Sequence, residues 1–248
     1  MPWDITGPPL LSRLSFIKGG RGVPSVPANI PGGVDIPGDK GLGIGYIPIM
    51  PMSFAYRKAT QALNYFAGQS GGKINKMKAL KLLYFADRFH LRKYGRPITN
   101  DEYFAMNFGP VPSGAKDLAE GSDFRPDSEK AYAGQYLNPV DALEFSSIAK
   151  PDFEVFSQTD MEALEFAWEK FGTLDRFMLA DLTHEYPEWK RHEVALKSDS
   201  TSRVKMNFSD FLDDPPANFD PCHKLSEDER SLRREEVQEL CVIHNLWN

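Results

Sequence analysis

Residues 73–96, KINKMKALKLLYFADRFHLRKYGR, decide the fold. At 100° per residue Leu80, Leu83, Tyr84, Leu91 and Tyr94 fall on one side of a helix, and Ala79, Leu82, Ala86 and Phe89 carry the apolar surface round its flank. A helix apolar over most of its circumference needs packing partners on several sides, which makes this one the hub of a core. Only a strip with Lys78, Lys81, Arg88 and Arg92 is left for water. Asp87 sits near the middle of the apolar arc, with His90 one turn further on. A lone buried carboxylate costs several kcal/mol, so Asp87 needs a partner, and His90 at i+3 is the nearest.

Outward from this helix the pattern stays mostly helical. Ala55, Ala59, Ala62, Leu63 and Phe66 give a first helix over 53–67, ended by Gly68, and GQSGG joins it to the hub. The hub stops at Tyr94-Gly95, with Pro97 beyond. DEYFAMNF (101–108) reads as a strand with Phe104, Met106 and Phe108 inward and Tyr103 and Asn107 left for polar work. Gly109-Pro110-Val111-Pro112 bends the chain, and Ser113 caps a short helix. VDALEFSSI and DFEVF read as strands of a small antiparallel sheet. Thr159 with Glu162 forms a capping box for a helix to Gly172. Thr173 opens another with Phe177, Leu179 and Leu182 inward, and Pro187 starts a short turn. Met206 to Leu212 makes one anchoring turn. Ser226 with Glu229 caps a last helix whose Arg/Glu face looks solvated. The fold class is therefore α+β, predominantly α-helical, with a small antiparallel β element.

Residues 1–51 hold about half of the glycine and proline of the 248-residue chain. Such a leader has little apolar mass to offset its ordering entropy and reads as flexible or extended. Two explanations fit it: translation starting at Met50 or Met52, or an arm that docks on a partner. The expected organisation is this leader, a domain over 53–212, and a linker with a C-terminal amphipathic helix over 213–248.

Net charge is −6, which argues against nucleic acid or anionic lipid as the main partner. Cys222 and Cys241 suggest neither a disulfide framework nor a zinc site. No run approaches the roughly 20 apolar residues of a membrane span, and no signal peptide is evident, so a cytoplasmic location is expected.

Three blocks resemble a known family. LLYFADRFHLRKYGRPIT (82–99), YFAMNFGPVPSGAKDL (103–118) and LTHEYPEW (182–189) are similar, in this order, to the signature of the Panacea antitoxin domain, also labelled SocA-like and phage-associated GepA-like. The resemblance implies a compact, mainly helical domain with a small β element. It also implies an antitoxin encoded in bacteria or their phages beside a small toxin gene, acting by direct binding. One family member looks instead like an adaptor handing its toxin to a protease, which makes a cytoplasmic protease a second partner to consider.

Asp87, His90, His184 and Trp189 admit two readings. They form a buried polar network that orients helices, with Trp189 or Tyr103 donating hydrogen bonds. Alternatively Asp87, His90 and His184 converge as two imidazoles and a carboxylate, the ligand set of a metal-dependent hydrolase. There is no HExxH or CxxC, and Gly109-Pro110-Val111-Pro112 lacks a phosphate-loop pattern. The first reading is adopted, with no catalytic residue, cofactor or metal expected. The basic strip Lys78, Lys81, Arg88 and Arg92 reads as a solvated face or, with Tyr103, as a candidate partner-binding set; an acidic chain favours protein over DNA for that role.

Overall fold

The central helix of the computed structural model is α2, Lys76–Tyr94. The structure describes residues 53–198, 201–216 and 224–247, all within one compact unit, Pro51–Asn248. The expectations for residues 1–51 and for Cys222 lie outside them. α2 starts where Asn75 adopts an extended conformation and its side chain accepts from the Lys78 N–H at 3.3 Å. It ends at Gly95, whose φ of 76° is left-handed and whose N–H returns to the Leu91 carbonyl. Leu82, Leu83, Tyr84, Phe85, Ala86 and Leu91 are all fully buried, so the hub assignment holds.

α1 (Tyr56–Gln69) packs on one side of α2 and α5 (Gln158–Phe171) on another. Phe85 stacks on Phe171 at 3.9 Å between ring centroids and Phe89 on Phe166 at 4.2 Å, fixing α5 along the hub. The fold is α+β and predominantly helical, with two small antiparallel sheets among the described residues.

The first sheet has the order β1 (Lys73–Asn75), β5 (Glu144–Ser147), β4 (Leu137–Pro139), with Ile74 opposite Phe145 and both buried. The three residues expected to open the hub helix thus form an extended lead-in. The second sheet has the order β3 (Gly109–Pro112), β2 (Tyr103–Met106), β6 (Arg203–Lys205). β3 is an edge strand, where Pro110 and Pro112 withhold no ladder donor. The expected bend at Gly109 is thus the second arm of a hairpin.

Gly109 has φ 93°, and a Cβ there would lie 2.2 Å from Thr183 Oγ1. Neither that backbone nor that space suits another residue.

After β3 come α3 (Ser113–Glu120) and α4 (Asp127–Ala133), then, beyond α5, α6 (Arg176–Thr183), α7 (Pro187–Lys190) and α8 (Glu193–Lys197). A 3-10 turn, Phe208–Leu212, buries Phe211 and Leu212, and α9 (Glu227–Trp247) follows.

Several local expectations are corrected. DFEVF is no strand: Phe153–Val155 is a 3-10 turn capped by Asp152. The capping box of α5 is Ser157 with Asp160, two residues earlier than the Thr159–Glu162 reading. α6 is capped by Asp175 rather than opened at Thr173, and Phe177 is exposed. Ser113 caps nothing; the Asp101 carboxylate accepts from the Gly114 and Ala115 amides at 2.8 and 2.7 Å. In β2 the alternation is shifted by one residue. Tyr103 and Ala105 point inward, Phe104 and Met106 are half-buried, and Phe108 is exposed.

Candidate functional site

Asp87 is buried, and its partners come from the chain that reverses after Gly95. Oδ1 accepts the Ile98 and Thr99 amides at 2.7 and 3.1 Å, and Oδ2 accepts the Tyr103 hydroxyl at 2.9 Å and the Thr99 hydroxyl. Burial raises this carboxyl above its ordinary range while the four donors pull the other way. The carboxylate thereby pins residues 98–103, and β2 behind them, to the hub.

His90 is not its partner. His90 Nδ1 lies 2.6 Å from the Arg96 carbonyl, which can only accept, so Nδ1 carries the proton. Nε2 then faces the Thr159 hydroxyl at 3.0 Å and Asp160 Oδ1 at 3.2 Å, at the start of α5. Burial lowers the imidazole's basicity, which keeps Nε2 an acceptor for Thr159. Asp160 is bound by Lys58 Nζ from α1 at 2.6 Å and by the Ser157 amide at 2.9 Å. Burial pushes that carboxyl up, but these donors outweigh it and hold it below the ordinary carboxylate range. Three helices meet at this point.

Arg88 and Arg92, expected on a wet strip, are fully buried. Arg88 Nε donates to Glu188 Oε1 at 2.7 Å, which also accepts the Tyr84 hydroxyl at 2.5 Å, and the guanidinium lies over the Tyr186 ring at 4.5 Å. Arg88 also reaches the Asp213 carbonyl at 2.9 Å. Arg92 donates to the carbonyls of Phe211, Leu212 and Asp213 at 3.2, 2.7 and 3.2 Å and pairs with the Asp214 carboxylate. Two guanidiniums of α2 thus clamp the end of the last 3-10 turn and the two residues after it. Lys78 donates to the Gly172 carbonyl at 2.6 Å, and Lys81 to the Pro110 carbonyl at 2.7 Å. With Tyr103 also buried, four of the five residues expected to meet a partner are interior, and Lys78 is half-buried.

His184 stacks on Trp189, ring centroids 3.8 Å apart, and Trp189 Nε1 donates to the Met106 carbonyl at 2.8 Å. Burial, together with the nearby Lys81 ammonium, lowers the basicity of His184. Asp87, His90 and His184 therefore serve separate clusters with no common partner. Among the described residues no group of three or more His, Cys, Asp or Glu side chains could hold a metal ion. The convergence needed by the hydrolase reading does not occur.

One open feature of the surface is a groove of about 580 Å³. Its walls are the hairpin tip at Asn107-Phe108, the Ala142-Leu143 loop before β5, and the first turn of α6 with Arg176 and Phe177; Leu80 and Lys81 of α2 also line it. Phe108, Leu143 and Phe177 are 56, 57 and 51% exposed.

Residues 80–190 match the family model described as antitoxin SocA-like, Panacea domain. All three blocks lie within this stretch, so the resemblance read from them holds there. No curated protein and no solved structure matches the chain. No helix among the described residues is long and apolar enough to cross a membrane.

Sequence reasoning passed over Glu188, Asp160 and Asp101, three buried carboxylates. Glu188 lies inside LTHEYPEW between Pro187 and Trp189, and a carboxylate in that apolar setting was the available signal. Asp101 stands ahead of a helix with no cap of its own. The groove left no periodic trace, since its walls come from six separated segments.

Proposed function

We propose that this protein is the antitoxin of a bacterial or phage toxin–antitoxin pair. It neutralises a cognate toxin in the cytoplasm by direct binding, through a domain spanning residues 53–212, and does no catalysis. The observation that carries this reading is the match of residues 80–190 to the antitoxin SocA-like Panacea domain. The buried network supports it. Asp87, His90, Arg88 and Glu188 are occupied in tying the hub to β2, α5 and α7, as scaffolding requires, and none of them lines the groove where exposed Phe108, Leu143 and Phe177 sit. The test is co-expression with the product of the adjacent open reading frame. Restored growth and a co-purifying complex are expected; neither rescue nor complex would sink the reading. In a pulse-chase the toxin should persist, whereas a shortened lifetime would mark a delivery adaptor acting with a protease.

A further inference from the structure

Phe108, Leu143 and Phe177 come from three different elements, yet all line one groove and each is about half exposed. A cluster of large apolar side chains around one opening is the usual mark of an interaction site. Its charge narrows the choice of occupant. The chain is acidic overall, but Lys76, Lys81, Lys116 and Arg176 line this groove against one carboxylate, Glu120, already paired with Lys116 at 2.7 Å.

Lys81 is the telling member. Its side chain is 1% exposed, its ammonium donates to the Pro110 carbonyl, and among the described residues it has no carboxylate within ion-pair distance. Its pKa lies well below the ordinary lysine value because burial is uncompensated. An acidic group entering the groove would supply the counter-charge that this nitrogen lacks and favour its charged form.

We propose that this groove is where the toxin docks, and that the occupant is a toxin segment with apolar side chains seated against Phe108 and Phe177 and an acidic residue facing Arg176 and Lys81. This rests on the antitoxin reading and deepens it by naming the surface and the chemistry of the partner.

Calorimetry with the purified product of the adjacent open reading frame as the probe tests it. Wild type should bind, with affinity falling as NaCl rises from about 50 to about 300 mM. Phe108→Asp combined with Phe177→Asp should lose about thirtyfold or more, the scale of an interface hot spot. Arg176→Glu should lose about tenfold and flatten the salt dependence. Phe124→Asp, at a 93% exposed residue outside the groove, should bind as wild type. Lys81→Met should bind more weakly while melting no lower than wild type, since a buried unpaired charge is removed. A purely structural lysine would show the reverse. Groove variants that bind as tightly as wild type, or a Phe124→Asp loss as large as theirs, would overturn the proposal while leaving the antitoxin reading intact. A wild-type protein that neither binds nor rescues would remove both.

Discussion

Asp87 shows what one residue imposes on a fold. A carboxylate in the middle of an apolar arc must be satisfied, and that much was legible from residues 73–96. Its partners were not, because they depend on how sharply the chain turns after Gly95 and not on helical spacing. Ile98, Thr99 and Tyr103 supply four donors, and His90 is drawn away by the Arg96 carbonyl. Asp87→Ala leaves those donors buried and unmatched. A loss of about 3 kcal/mol of stability is expected by urea denaturation, with the midpoint shifted and the slope kept.

Asp101 gives a pH signature. Burial, opposed by the Ala115 and Gly114 amides, lifts its carboxyl to about 7. The folded state then holds a proton that the unfolded chain has released, so this residue's contribution to stability falls as pH rises from about 4 to about 7. His90 and His184, held neutral by burial, act oppositely, their contribution being lost as pH falls below the ordinary histidine range. Melting temperatures across this range should show the advantage of wild type over Asp101→Asn shrinking as pH rises. An advantage that grows would contradict the assignment.

For the elements, sequence was a good guide to helices and a poor one to faces. The hub, α1 and the last helix are helices as read, with shifted ends, and the Ser226–Glu229 box forms. The strip Lys78, Lys81, Arg88 and Arg92 looked wet because the carbonyls that cover it lie far along the chain, at Pro110, Gly172 and 211–213. β2 misled for a different reason. Both of its alternating sets carry aromatic residues, so hydropathy could not choose between them; the hydroxyl demanded by Asp87 chose Tyr103. That shift by one residue is also what puts Phe108 on the surface.

The clamp between α2 and α7 carries its own prediction. Glu188→Gln strips the Arg88 guanidinium of its buried counter-charge and should lower stability by about 3 kcal/mol. In that background Arg88→Met should be less damaging than in wild type, and a double-mutant cycle measures the coupling. Additive losses would mean that the pair is not coupled.

Across the whole molecule, the stretch that carries the family signature is shorter than the compact unit around it. Residues 80–190 omit α1, whose Lys58 binds Asp160, and omit 211–214, which cover Arg88 and Arg92. α9 adds to this clamp: Arg230 pairs with Asp214, Arg234 binds Asp213, and Val237 is buried. Its Arg/Glu surface is therefore only partly solvated. A fragment of residues 80–190 should give poorly dispersed NMR spectra and no cooperative melting transition, whereas residues 53–248 should melt cooperatively. A well-folded short fragment would show that the clamp is dispensable.

The sequence separation of the arginine clamp also sets a timetable. Arg92 and Phe211 lie 119 positions apart, about 6–24 s of synthesis at roughly 5–20 residues per second. Until the ribosome reaches Asp214, two guanidiniums on the hub have no carbonyls to hold. Nascent chains arrested before Phe211 should therefore be digested readily by added protease, and chains released after Asp214 should resist. Maturation of this polypeptide thus waits on the synthesis of residues 211–214.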